Sequence, residues 1–215
     1  MARAARLGGL AVLVAACASR PPPPPAVASR PATSAAPPYA RLFEAGARWT
    51  FAVTQELGDS ATPPPPTPAG TLTCTVADVR VATDRRIAHV TCAADGPHAI
   101  GARSAPVGYW VATDAGLWRF DDRADAASLP ATLAPDQLLL AAIPAERTGE
   151  FRTEAGDTGL VGVRRHPGDE WCVSYTELAD EPMDWYLCLT AARGITRGHW
   201  RVNGTPLFFM SYAAR

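Results

Sequence analysis

Four cysteines of this 215-residue chain fall into two pairs, Cys74 with Cys92 and Cys172 with Cys188, and such pairs can do two kinds of chemistry. They can close disulfides, or as thiolates they can hold a soft metal ion together with histidine. The spacing favours disulfides. Zinc ligands cluster as CxxC or HxxxH, whereas His89, His98, His166 and His199 are scattered, and only His89 stands near a cysteine, Cys92. No metal or cofactor is expected. His166 opens the turn-like run His-Pro-Gly-Asp, and His199 lies between Gly198 and Trp200 in a strand-like run, so the histidines read as structural or surface groups.

The cysteine pairs also indicate the elements that carry them. Cys172 and Cys188 are equidistant from Asp180, which makes the intervening segment a hairpin turning at Leu178 to Pro182. In that register Trp171 opposes Leu189, Val173 opposes Leu187, and Tyr175 opposes Trp185 on one apolar face, with Glu177 opposite Met183. The other face carries Cys172, Ser174, Thr176, Asp184, Tyr186 and Cys188, so a cross-strand disulfide is predicted on the side away from the main core. Cys74 and Cys92 fit a similar hairpin turning near Ala82 to Arg85, although that register sets Arg80 against Arg86. A second local disulfide is expected there.

Further strands follow from alternation and turn residues. Arg48 to Leu57 has strand composition, and Pro63 to Pro66 with Pro68 reads as an exposed excursion, because proline cannot continue a central strand. Tyr109 to Phe120 reads as a hairpin whose loop is Asp114-Ala115-Gly116, with Thr113 opposite Leu117. Trp110, Ala112, Trp118 and Phe120 then share a face. Strands are also expected at Leu160 to Arg165, Ile195 to Val202 and Leu207 to Tyr212, with Asn203-Gly204 as a turn. Asp136 to Ala142 is readable as a short helix or as a strand. The fold class is all-β and mainly antiparallel: a meander of roughly nine to eleven strands, closed as a barrel or wrapped as a curved half-barrel, with at most one short helix. A cysteine hairpin followed by a Gly/Trp strand pair occurs twice, from Cys74 to Phe120 and from Cys172 to Val202, a faint internal echo.

The fifth cysteine has a different setting. Arg3 and Arg6 precede the short apolar run Leu7 to Ala16, which ends in small residues; this is the pattern of an export signal and is too short to span a bilayer. Val14-Ala15-Ala16-Cys17 resembles the lipobox of bacterial lipoproteins. The resemblance covers residues 1 to 18 and implies cleavage before Cys17, lipidation of that residue and, since Ala18 rather than Asp follows, placement in the outer membrane of the cell envelope. Residues 17–38, with Pro21 to Pro25, Pro31, Pro37 and Pro38, read as a disordered tether. Residues 39–215 then form a single β-rich head.

Composition narrows the function. All twenty basic residues are arginine, and loss of residues 1–16 leaves 18 against 21 acidic ones, which argues against a nucleic-acid footprint or a polybasic membrane patch. GxSxG, HExxH, SxxK and phosphate-loop motifs do not occur, and no catalytic residue is assigned. The acidic groups Glu177, Asp180, Glu181 and Asp184, and Asp121 to Asp125, read as solvated loops. The expected function is that of a lipid-anchored envelope protein with a non-catalytic head that binds another envelope component. The alternative is a carrier or sensor of an apolar ligand in a half-barrel lined by Trp110, Trp118, Trp171, Trp185 and Phe120. An envelope hydrolase is the remaining possibility.

Overall fold

A computed structural model of the chain describes residues 36–58, 65–96, 106–122, 124, 126–152, 158–177, 183–202 and 207–214. The chain divides into Met1–Ser34 and Ala35–Arg215, and every described residue belongs to the second unit. Cys17 therefore lies outside the described residues, as do His98, Asp180, Glu181 and the Asn203-Gly204 turn.

Twelve strands form one antiparallel sheet: β1 (Arg48–Gly58), β2 (Thr67–Val81), β3 (Arg86–Asp95), β4 (Gly108–Thr113), β5 (Gly116–Phe120), β6 (Leu140–Ala141), β7 (Arg147–Arg152), β8 (Thr158–His166), β9 (Glu170–Glu177), β10 (Met183–Thr190), β11 (Gly194–Val202) and β12 (Leu207–Ala214). The spatial order is β6-β5-β4-β3-β2-β1-β12-β11-β10-β9-β8-β7. First and last strands pair at the centre, and the middle of the chain supplies both edges. The strands beyond the expected range come from this middle, where β6 has only two residues and β7 carries the unpatterned run Arg-Thr-Gly-Glu-Phe-Arg.

Alternating residues along the strands face one core, in which Phe51, Leu72, Trp110, Leu117, Leu187 and Ile195 are buried. The sheet curls around this core, so that the Arg119 guanidinium of β5 lies 5.5 Å from the ring centroid of Trp185 in β10. A 3-10 turn at Ala40–Phe43 packs against β2, β3 and β11 and buries Leu42 and Phe43. Tyr39 is also buried, and the Pro37 carbonyl accepts a hydrogen bond from the Ala40 N–H at 2.9 Å. The segment around Asp136 combines its two readings: Pro135–Gln137 is a 3-10 turn, and Leu140–Ala141 is strand.

Two sequence registers and one loop boundary change. In β4–β5 the loop has two residues, because Thr113 pairs with Gly116 rather than with Leu117. A one-residue slip moves every later side chain to the other face. Trp110, Ala112, Leu117 and Arg119 consequently face the main core, while Trp118 and Phe120 join Val111 in a second apolar cluster on the opposite side, covered by Leu129, Leu133 and Leu138. In β2–β3 a bulge after Val76 sets Arg80 against Ile87, which removes the expected Arg80–Arg86 opposition. Finally, Pro68 lies inside β2, opposite Thr54. The pairing of β2 with β3 extends only to Thr71, so Pro68 has a ladder neighbour on one side alone and its missing N–H is tolerated.

Both disulfides are present. Cys172–Cys188 occupies the expected register, with Trp171, Val173 and Tyr175 opposite Leu189, Leu187 and Trp185 on the core-facing side. Cys74–Cys92 instead faces the main core beside Trp49. The two pairs thus lie on opposite faces of the sheet, and the sequence echo does not extend to a common register.

Candidate functional site: a rim cleft and the polar face beside it

All strand connections at one end of the sheet are short: 82–85, 114–115, 142–146, 167–169 and 191–193. At this rim the β8–β9 turn, Pro167-Gly168-Asp169, borders an open cleft of about 580 Å³ lined also by Glu146, Arg165, His166 and Trp171. Gly168 and Asp169 both adopt positive φ, 81° and 57°, the left-handed geometry that closes so tight a turn. The Arg165 guanidinium pairs with Asp169 and lies 5.9 Å from the Trp171 centroid, while its backbone N–H donates to Glu146 Oε1 at 3.1 Å. The cleft therefore offers both signs of charge, an imidazole and an indole flank.

His166 links the cleft to the outer face of β8–β11. Its Nε2 is 3.3 Å from the Tyr186 hydroxyl, and the Tyr186 ring stacks on His199 with centroids 5.0 Å apart. Across the same face Arg164, Cys172, Cys188 and Arg197 form a row over four strands. A bulge after Cys188 places Thr196 out of register with Leu189 and lets both Thr196 and Arg197 reach Glu170. Arg197 donates to Glu170 Oε2 from Nε at 3.2 Å and from Nη2 at 2.7 Å, and the Thr196 hydroxyl donates to Oε1.

These contacts set protonation states. Burial acts to raise the Glu170 pKa, but the hydrogen bonds from Arg197 and Thr196 outweigh it and hold the carboxyl below its ordinary value. Burial lowers the His199 pKa and raises that of Tyr186. At neutral pH the face thus combines a fixed carboxylate, a neutral imidazole and a protonated phenol. Such groups can donate, accept and stack, but the carboxylate already serves Arg197 and Thr196. One Glu170 oxygen also lies near the two sulfurs in an arrangement whose donor atoms are all within 4.8 Å of one another. Both sulfurs are joined in the disulfide, which leaves them no thiolate with which to bind a metal.

The four tryptophans considered as ligand residues do not converge. Trp110 and Trp185 are buried in the main core, Trp171 is partly buried at the rim, and Trp118 lies in the cluster on the opposite face. The Trp118 Nε1–H donates to the Ala134 carbonyl at 3.0 Å, which ties it to the connection between β5 and β6. Arg119 approaches both Trp110, at 6.0 Å, and Trp185, and donates to the Val107 carbonyl at 2.8 Å. The cleft residues Glu146 and Arg165, and Glu170 on the polar face beside the cleft, were not singled out by sequence. The one signal that located them was the His-Pro-Gly-Asp turn, which brings its charged flanks together.

No protein-family model, curated protein or solved structure matches this chain.

Proposed function

We propose that the protein is a lipid-anchored component of a bacterial envelope whose β-rich head binds a polar partner through the rim cleft, without catalysing a reaction. The cleft carries this reading. Its roughly 580 Å³ are lined by Glu146, Arg165, His166 and Asp169 at the rim and by Trp171, which packs against the edge of the main core. That size lies within the range of small-molecule pockets, about 300–1,000 Å³. Surface recognition is supported over carriage of an apolar ligand by the Arg119 guanidinium, a charged group that lies 6.0 Å from the Trp110 ring centroid and 5.5 Å from that of Trp185. Two disulfides support an oxidising compartment. The outer-membrane address and the tether rest on the Cys17 signal and the proline run after it.

Fractionation and native mass measurement of the full chain test the reading. Cys17→Ser protein is expected to leave the membrane fraction, and a photoreactive residue at position 169 to crosslink one discrete envelope component that Arg165→Glu abolishes. Persistent membrane association of the Cys17→Ser form would overturn the anchor. A lipid-sized molecule retained in the native mass and lost in Trp110→Ala would overturn surface binding in favour of the carrier.

A further inference from the structure

The described residues expose three large hydrophobic side chains: Ile143 at 89%, Val81 at 76% and Leu160 at 48%. Two of them occupy the rim of short turns. Val81 ends β2 at the 82–85 turn, and Ile143 lies in the 142–146 connection between β6 and β7. The start of the head is at the same rim. Arg41 Nη1 donates to the Ala192 carbonyl in the β10–β11 turn at 3.1 Å, and the Arg86 guanidinium, paired with Val81 in the ladder, lies 4.9 Å over the Phe43 ring. Tyr39 senses the charges of Arg86 and of Asp114 in the β4–β5 turn. The adjoining Ala115 carbonyl accepts from the Ala142 N–H at 3.0 Å, one residue before Ile143. Residues Pro37 to Phe43, at the start of the described chain, therefore lie among the turns that carry both apolar tips.

We infer that this rim docks on a lipid surface, with Ile143 and Val81 entering the interface. The inference rests on the lipid-anchor reading above. An apolar side chain exposed at a turn gains by leaving water, and the interface accepts such tips while arginines meet phosphate groups. Arg48, Arg86 and Arg193 are exposed at or beside this rim, as are Glu44, Asp84, Asp114 and Asp169, so the apolar tips rather than a net positive charge carry the docking. Two tips would bind weakly from solution, but a lipid tether holds them at high effective concentration, so docking needs little intrinsic affinity. In this orientation the rim cleft opens beside the bilayer, where a polar headgroup-proximal partner can reach it.

The test uses full-length acylated protein in vesicles of phosphatidylethanolamine and phosphatidylglycerol doped with nitroxide-labelled lipid. Because the four head cysteines are paired and Cys17 is acylated, Ile143→Cys, Val81→Cys and Leu160→Cys each add one reactive thiol for an environment-sensitive fluorophore. Probes at 143 and 81 are expected to be quenched at least twofold more than the probe at 160, which lies on the outer face of β8. Equal quenching at all three sites in vesicle-bound protein would overturn docking and leave the anchor intact. A blue-shifted but unquenched probe at 143 would assign the tip to a protein contact and equally overturn it. Protein that fails to sediment with the vesicles would instead refute the anchor, and docking with it.

Discussion

Glu170 and His199 are expected to make the outer face sensitive to acid, since protonation removes the charge that Arg197 pairs with at Glu170 and places a charge on the partly buried His199 ring. The carboxyl is held below its ordinary range despite burial because Arg197 and Thr196 bond its ionised form. Its contribution to stability is present above the unfolded value of about 4.3 and is lost as pH falls through the lower native value. Glu170→Gln is therefore expected to unfold at lower urea than the native protein at pH 7, with the gap closing below about pH 4. His199 acts at higher pH. Burial lowers its native pKa, so the unfolded chain takes up a proton first as pH drops below about 6.5, and stability falls. His199→Phe keeps an aromatic ring against Tyr186 but removes this proton. Between pH 7.5 and 5.5 its urea midpoint should fall less than that of the native protein; an equal fall would show that His199 does not contribute to the acid sensitivity.

The short β6 strand depends on one glycine of its neighbour. Gly116 has φ of 150°, and a Cβ there would collide with the Leu140 carbonyl oxygen. Leu139 N–H donates to Leu117 at 2.9 Å, and Arg147 donates across the seam to the carbonyls of Leu138 and Leu139, so β6 is held from both sides. Gly116→Ala is expected to displace β6 and cost about 1–3 kcal/mol, read as a lower unfolding midpoint with faster amide exchange at 139–141. Unchanged exchange there would refute the dependence. This hairpin also marks where sequence reading ends. The β9–β10 register was legible because alternation, the turn and the two sulfurs all required the same pairing. In β4–β5, Gly116 suggested a three-residue loop, yet its actual role is close approach to β6, a strand that two residues cannot announce. The cleft was legible only as a turn, since its walls come from the separate segments 146 and 165–171.

At the scale of the whole molecule, the chain closes on itself through its ends. β1 pairs with β12 from Phe51↔Ala214 to Gly58↔Leu207, while β6 and β7, consecutive in sequence, form the two edges of the sheet. A break in the 142–146 connection therefore leaves two six-stranded meanders joined by the β1–β12 ladder, by the shared core, by Arg119 against Trp185 and by Arg147 on the Leu138 and Leu139 carbonyls. Each disulfide lies within one meander, Cys74–Cys92 in the first and Cys172–Cys188 in the second. The exposure of Ile143 makes this connection accessible to a protease. A protease site inserted at 143 should thus yield two fragments that migrate together under native conditions. They should separate in denaturant without any reductant, because no covalent link crosses between them. Fragments that separated under native conditions would mean that the central ladder and shared core cannot hold the halves together, and that the continuous edge-to-edge connection is what maintains the sheet.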